Sequence, residues 1–101
     1  MATYKQKSEI HGIGLFTYEK IKEGDVIMEV ADLNRFYKNM EFITNKGKLV
    51  NHKKDCNCYI NLVIDKYYLL ANRDIEPNEE LTADYSVLEY PFKSDVTGYK
   101  N

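Results

Sequence analysis

The sequence predicts a single, mostly β domain with little helix. Three observations carry that reading. Short runs rich in β-branched and aromatic residues recur between turn-forming residues. The chain has 101 residues, one domain's worth, and its 44% hydrophobic and 30% charged residues place it among ordinary globular domains. One stretch alone, residues 34–48, spaces its apolar side chains as a helix does. A chain of this size buries roughly 60% of the surface that its unfolded form exposes, so its core is small.

In chain order, Gly14-Leu15-Phe16-Thr17-Tyr18 reads as a strand, and so does Asp25-Val26-Ile27-Met28-Glu29-Val30. The turn between them carries Gly24, placed for a positive φ. Phe36, Met40 and Ile43 follow at helical spacing, predicting a short helix that ends near Asn45-Lys46-Gly47. Tyr59-Ile60-Asn61-Leu62-Val63-Ile64 and Tyr67-Tyr68-Leu69-Leu70-Ala71 read as strands, and Asp65-Lys66 between them predicts a hairpin. Leu81-Thr82-Ala83-Asp84-Tyr85 reads as a last strand. The turn before it repeats the first turn: Ile75 matches Ile21, and Asn78 stands where Gly24 stood. Asn tolerates the left-handed conformation better than most residues, so this is one local geometry used twice. The tail, residues 86–101, holds Tyr90, Phe92, Val96 and Tyr99 without a clear period.

Composition excludes several function classes. The net charge is −2 and arginine occurs twice, as Arg35 and Arg73, which argues against a nucleic-acid binder. A membrane span needs ~20 consecutive apolar residues, and no such run occurs. The first ten residues are polar, unlike a signal peptide. Cys56 and Cys58 are one residue apart, too close for a relaxed disulfide, so reduced thiols are expected. Together these features predict a soluble, intracellular protein.

Three segments hold residues able to do chemistry. In His11-Gly12-Ile13-Gly14-Leu15-Phe16, paired glycines let the backbone approach a ligand, although such a pair beside a strand is more often a tight turn. It lacks the third glycine of a dinucleotide fingerprint. Residues 49–58 gather Asn51, His52, Cys56, Asn57 and Cys58. Zinc bound by Cys56, Cys58, His11 and His52 is one reading, but the C-x-C spacing is tighter than usual. A cysteine nucleophile beside His52 is another, and a buried, inert Cys58 is the plain one. In residues 78–85, Glu79 and Glu80 point to opposite faces if extended, a poor acid/base pair and most simply surface charge at a turn. Tyr85 alone would count as core.

In this order, the segments resemble the SET domain of protein-lysine methyltransferases. Gly12-Ile13-Gly14-Leu15-Phe16 is similar to the family's first motif, and Ile21-Lys22-Glu23-Gly24-Asp25-Val26-Ile27 to the turn and strand after it. Asn51-His52, with Asn57 further on, resembles the N-H-S-x-x-P-N signature. Ala71-Asn72-Arg73-Asp74-Ile75 and Glu79-Glu80-Leu81-Thr82-Ala83-Asp84-Tyr85 resemble the A-x-R-D-I…G-E-E-L-T-x-D-Y ending. Each motif is loose alone; their ordered combination over residues 8–85 is specific.

The resemblance implies a minimal stand-alone SET domain over residues 1–101, with the motifs in 8–85 and a C-terminal tail in 86–101. Its fold would be a β-clip-like set of small sheets closed by a C-terminal pseudoknot. Its activity would be S-adenosylmethionine-dependent methyl transfer to a lysine amine of a protein or peptide, a histone tail in a eukaryotic or viral setting. By motif position, Gly12, Ile13, Gly14, Asn51 and His52 would bind the cofactor and Tyr85 would be the catalytic tyrosine. No metal is implied, and neither is direct contact with nucleic acid or membrane; the cytoplasm or a host nucleus would be the setting. Lys53, Cys56 and Asn78 depart from the usual Ser, Pro and Gly, and Val30 falls where many members carry a channel tyrosine. These departures, with the short segment after Val30, support the alternative of a non-catalytic SET-fold binding module. Exposed apolar residues in the tail also predict a homodimer, against the alternative of a tail folded over its own channel.

Overall fold

Seven short strands form three small sheets in the computed structural model, which describes residues 2–88. Strands β1 (Thr3–Lys7) and β2 (Ile13–Thr17) make an antiparallel pair. Strands β3 (Val26–Asp32), β6 (Lys66–Ala71) and β5 (Cys58–Val63) make an antiparallel sheet with β6 in the middle. The third pair, β4 (Asn51–His52) and β7 (Thr82–Ala83), is parallel. Parallel partners need a long connection. Here that connection contains the β5–β6 hairpin, and the pairing sets the Asn51-His52 segment beside the last motif.

Alternation explains the middle sheet. In β6, Tyr67, Leu69 and Ala71 are buried while Lys66, Tyr68 and Leu70 are half-buried, so one face meets the core. Leu15, Ile21, Val30, Leu81 and Ile75 close around Leu69 in the same core, each at 1% exposure or less. Ile21 and Ile75 exchange both backbone hydrogen bonds, at 2.9 and 2.8 Å. The turns that follow them carry Gly24 at φ +87° and Asn78 at φ +71°, so the repeated turn in the sequence is a repeated conformation.

The middle segment departs from the expected helix. Helix α1 covers Leu33–Tyr37 and no more. Asp32 caps its start by accepting the Asn34 amide at 2.9 Å. Asn39 takes φ +57° and ends the winding, and the chain runs back along β3. There the Asp32 amide donates to Phe42 O at 2.9 Å and the Thr44 amide to Val30 O at 2.8 Å. Phe42 and Ile43 are therefore buried by pairing with β3, while Met40 is exposed. A 3-10 turn at Gly47–Leu49 leads into β4.

Strand limits differ elsewhere in small ways. The β5–β6 turn is made by Ile64 and Asp65, with Val63 paired to Lys66, one residue earlier than expected. The last strand is two residues long; Asp84 then caps a 3-10 turn at Tyr85–Val87. Strand β1 carries no period-2 apolar signal, and its pairing partner defines it. The tail residues Tyr90, Phe92, Val96 and Tyr99, on which the homodimer expectation rests, lie outside the described residues. Among the described residues no helix is long and apolar enough to cross a membrane.

Candidate functional site

The parallel β4–β7 pair gathers all three chemistry-bearing segments. Asn51 and His52 form β4, and Tyr85 lies two positions beyond the end of β7, with Asp84 between. The first motif arrives through the loop before β2. Asn51 Nδ2 donates to the carbonyl of His11 at 3.0 Å, joining that loop to β4. The loop is closed on itself: the Ser8 amide donates to Gly12 O at 2.8 Å, and Ser8 Oγ accepts from the amides of Ile10 and His11 at 2.9 and 3.3 Å. Gly12 sits at φ +48°, and a Cβ there would meet nothing within 4 Å, so this backbone faces open space. Gly14 is required for a different reason, because a Cβ there would collide with the Glu80 carboxylate. Ile13 is 49% exposed beside them.

Glu80 corrects the sequence reading of surface charge. Its carboxylate is part-buried and accepts from Ser8 Oγ at 2.8 Å to each oxygen, and from Asn51 Nδ2 at 2.8 Å. Glu79, its neighbour, is also half-buried but pairs with the exposed Arg73 at 2.8 Å, and that guanidinium holds its carboxyl below the usual range. The signal for Glu80 was its place in the motif; burial could not be read from alternation in a turn.

Asn57 joins the same cluster from below. It is 4% exposed; its Nδ2 donates to Glu80 O at 2.8 Å, and its Oδ1 accepts the Thr82 amide at 3.0 Å. The turn before β7 is thus tied down by one side chain. Cys58 is fully buried, its Sγ donating to Asn57 Oδ1 at 3.3 Å, and burial pushes its thiol up to about 12. A thiol so placed is inert at neutral pH, which removes the nucleophile reading for Cys58.

His52 and Tyr85 form the other half. The Tyr85 amide donates to His52 Nδ1 at 3.0 Å, and the two rings stack with centroids 6.0 Å apart. Nδ1 is therefore an acceptor without a proton, so the 3.7 Å approach of Asp84 Oδ1 to the same nitrogen is not an ion pair. Asp84 instead caps the 3-10 turn through Ser86, whose hydroxyl and amide hold its carboxyl below the usual range. Tyr85 is 5% exposed, and its hydroxyl donates to the carbonyl of Val50. Burial raises the phenol well above its ordinary value of 10.0. A concave surface of about 440 Å³ lies alongside, bounded by Phe16, Lys53, Asp55, Asn57, Arg73 and Glu80. Gly12, Asn51, His52 and Tyr85 do not line it.

The SET domain profile matches residues 32–86, just over half of the chain, including the Asn51-His52 and Glu79–Tyr85 segments but not the Gly12–Gly14 loop. The chain belongs to the SET-domain family. A histone-lysine N-methyltransferase of Oryza sativa subsp. japonica, TRX1, is 32% identical over a 112-residue alignment covering 78% of this chain. A Plasmodium falciparum (isolate 3D7) protein provisionally named histone-lysine N-methyltransferase 1 is 28% identical over 114 residues, covering 81% of this chain. The chain spans 11% and 2% of the length of these two relatives. Among solved structures, a P. falciparum protein described provisionally as a histone methyltransferase superposes with a TM-score of 0.64 at 23% identity, covering 87% of this chain and all of that one. A chain of ctPRC2, solved with H3K27me3 and H3K27M, gives 0.66 at 21% identity, covering 83% of this chain and 14% of its own. These likenesses establish the fold: a SET domain of several small sheets with little helix.

Proposed function

We propose that this SET domain is a protein-lysine N-methyltransferase that uses S-adenosylmethionine, with a histone tail as its substrate class. The observation that carries the reading is the convergence of the Gly12–Gly14 loop, Asn51, His52 and Tyr85 about the β4–β7 pair. The names of the relatives support the substrate class.

The chain's residues suit the cofactor's amino-acid end. Asn51 is buried, with both of its hydrogen bonds made through Nδ2, and its Oδ1 accepts none among the described residues, which leaves an acceptor for an ammonium group. Gly12, Ile13 and Gly14 would line the approach with backbone, and His52 would hold the adenine side. When bound, S-adenosylmethionine supplies an activated methyl group on a sulfonium.

What remains for the protein is alignment, which can contribute several orders of magnitude in rate. A lysine amine is protonated at neutral pH, with a pKa of ~10.4, and must lose its proton to act as a nucleophile. Burial favours the neutral amine. Tyr85 is not the base, since burial moves its phenol further from ionisation. With its proton directed at Val50 O, the hydroxyl keeps lone pairs with which to accept an amine N–H and aim the nitrogen lone pair.

Val30, buried where many members place a tyrosine, favours the second reading, a non-catalytic SET-fold binding module. The two readings separate in one experiment. Core histones are incubated with methyl-labelled S-adenosylmethionine and either the wild-type chain or Tyr85→Phe. Labelled histone lysine with wild type, and at least a tenfold lower rate with Tyr85→Phe at unchanged cofactor affinity, is the expected result. Cofactor binding without labelling would leave the binding module, and equal rates for both proteins would remove Tyr85 from the chemistry.

A further inference from the structure

No functional role has been given above to Ser8 or Glu80, yet Glu80 is one of the two acceptors on Asn51 Nδ2, and Ser8 holds both Glu80 and the amide of His11, whose carbonyl is the other. A carboxamide has two faces, one donating and one accepting, and a flip exchanges them. Asn51 Nδ2 meets His11 O at 3.0 Å and Glu80 Oε2 at 2.8 Å, and both are pure acceptors. The flipped amide would set its oxygen against two oxygens, one of them a carboxylate. Glu80, with the His11 carbonyl, therefore fixes which end of the amide the protein holds, and Glu80 supplies the charged partner of the two. Glu80 is fixed in turn by the Ser8 hydroxyl, 2.8 Å from both carboxylate oxygens. Ser8 has no freedom to turn, because its oxygen already accepts from the amides of Ile10 and His11 and its proton must go to Glu80.

We propose that Ser8 and Glu80 are positioning residues that lock the Asn51 carboxamide with its nitrogen held by the protein and its oxygen left for a ligand, so that the site presents an acceptor to the α-ammonium group of the cofactor. The inference rests on the reading of this site as a cofactor site. It goes further in naming a two-residue clasp that also ties the loop of the first motif to the last one. The clasp accounts for Gly14, since any side chain there would displace the Glu80 carboxylate.

The test compares two ligands on the full chain by calorimetry: S-adenosylhomocysteine, and its analogue lacking only the α-amino group. Wild type should prefer the amine-bearing ligand. In Glu80→Met, which keeps the length of the side chain and removes the acceptors, that preference should shrink by about tenfold, as expected for one charge-assisted hydrogen bond. Ser8→Ala should shrink it by less, and Glu80→Gln, which keeps one acceptor oxygen, should restore most of it. A purely structural role would weaken both ligands alike, and parallel losses in Ser8→Ala and Glu80→Met would overturn the clasp while leaving the cofactor site standing. Should Glu80→Met fail to fold, Ser8→Ala and Glu80→Gln carry the comparison. A wild-type chain that binds neither ligand would overturn the cofactor reading and the clasp with it.

Discussion

In the three-stranded sheet, β6 turns Tyr67, Leu69 and Ala71 into a core of aliphatic side chains, and the backbone satisfies itself through the ladders to β3 and β5. Around β4 and β7 the polar side chains of Asn51, Asn57 and Thr82 are buried alongside Val50, Leu81 and Ala83, and the strands are two residues long. There the ladder is too short to hold the chain, and side-chain amides and hydroxyls take over its work. The two regions should respond oppositely to the same kind of change. Apolar packing is sensitive to volume and tolerant of chemistry at constant volume. A buried polar cluster is sensitive to the polarity of single atoms, even when shape is kept.

The largest expected effect therefore comes from an isosteric change, Asn57→Asp. It exchanges the Nδ2 donor for an oxygen facing Glu80 O in a site that is 4% exposed. Leaving a buried charge without its full set of partners costs about 3 kcal/mol or more. The sign of its pH dependence is fixed. Protonation supplies an O–H that can replace the lost N–H, so the folded-state pKa of the new carboxyl lies above its unfolded value. Stability should then be lowest near pH 7 and recover as pH falls toward the carboxylate range. Urea unfolding at pH 5 and pH 7 measures this. A cost under 1 kcal/mol at pH 7 would mean that the cluster is not held by atom polarity.

Leu69→Met is the matched change in the sheet. Leu69 is fully buried, but methionine has similar volume and an adaptable chain. The expected cost is below about 1.5 kcal/mol. A larger loss than that of Asn57→Asp in the same urea titration would reverse the comparison.

The same contrast explains what the sequence revealed. Sheet strands were legible because apolar and β-branched residues mark a half-buried surface, and the paired turns at Gly24 and Asn78 were legible because few residue types accept their φ. The helix was overread. Phe36, Met40 and Ile43 have helical spacing, but Asn39 in the left-handed conformation ends the helix, and Ile43 is buried by bridging to Ala31. Spacing cannot separate a helix face from a segment returning along a strand. Motif order pointed to the Asn51, His52 and Tyr85 segments, which the fold does bring together. Glu80 and Ser8 stayed hidden, because a partnership across 72 positions in sequence leaves no local pattern.

The smallest effect is expected at the tip of the β5–β6 hairpin. Ile64 takes φ +61°, a conformation in which a β-branched side chain crowds its own backbone. The side chain is 92% exposed, so it returns almost no burial for that strain. Holding a non-glycine residue there costs about 1–3 kcal/mol. Ile64→Gly removes the strain, and the added freedom of glycine in the unfolded chain takes back roughly 0.5–1 kcal/mol. The net expectation is a gain of about 1 kcal/mol, a rise of roughly 4–8 °C in Tm for a domain of this size. Ile64→Ala separates the causes. Alanine keeps the Cβ and hence most of the strain, so its Tm should stay near that of wild type. Equal gains from both substitutions would assign the effect to lost exposed apolar surface rather than to the backbone of the turn.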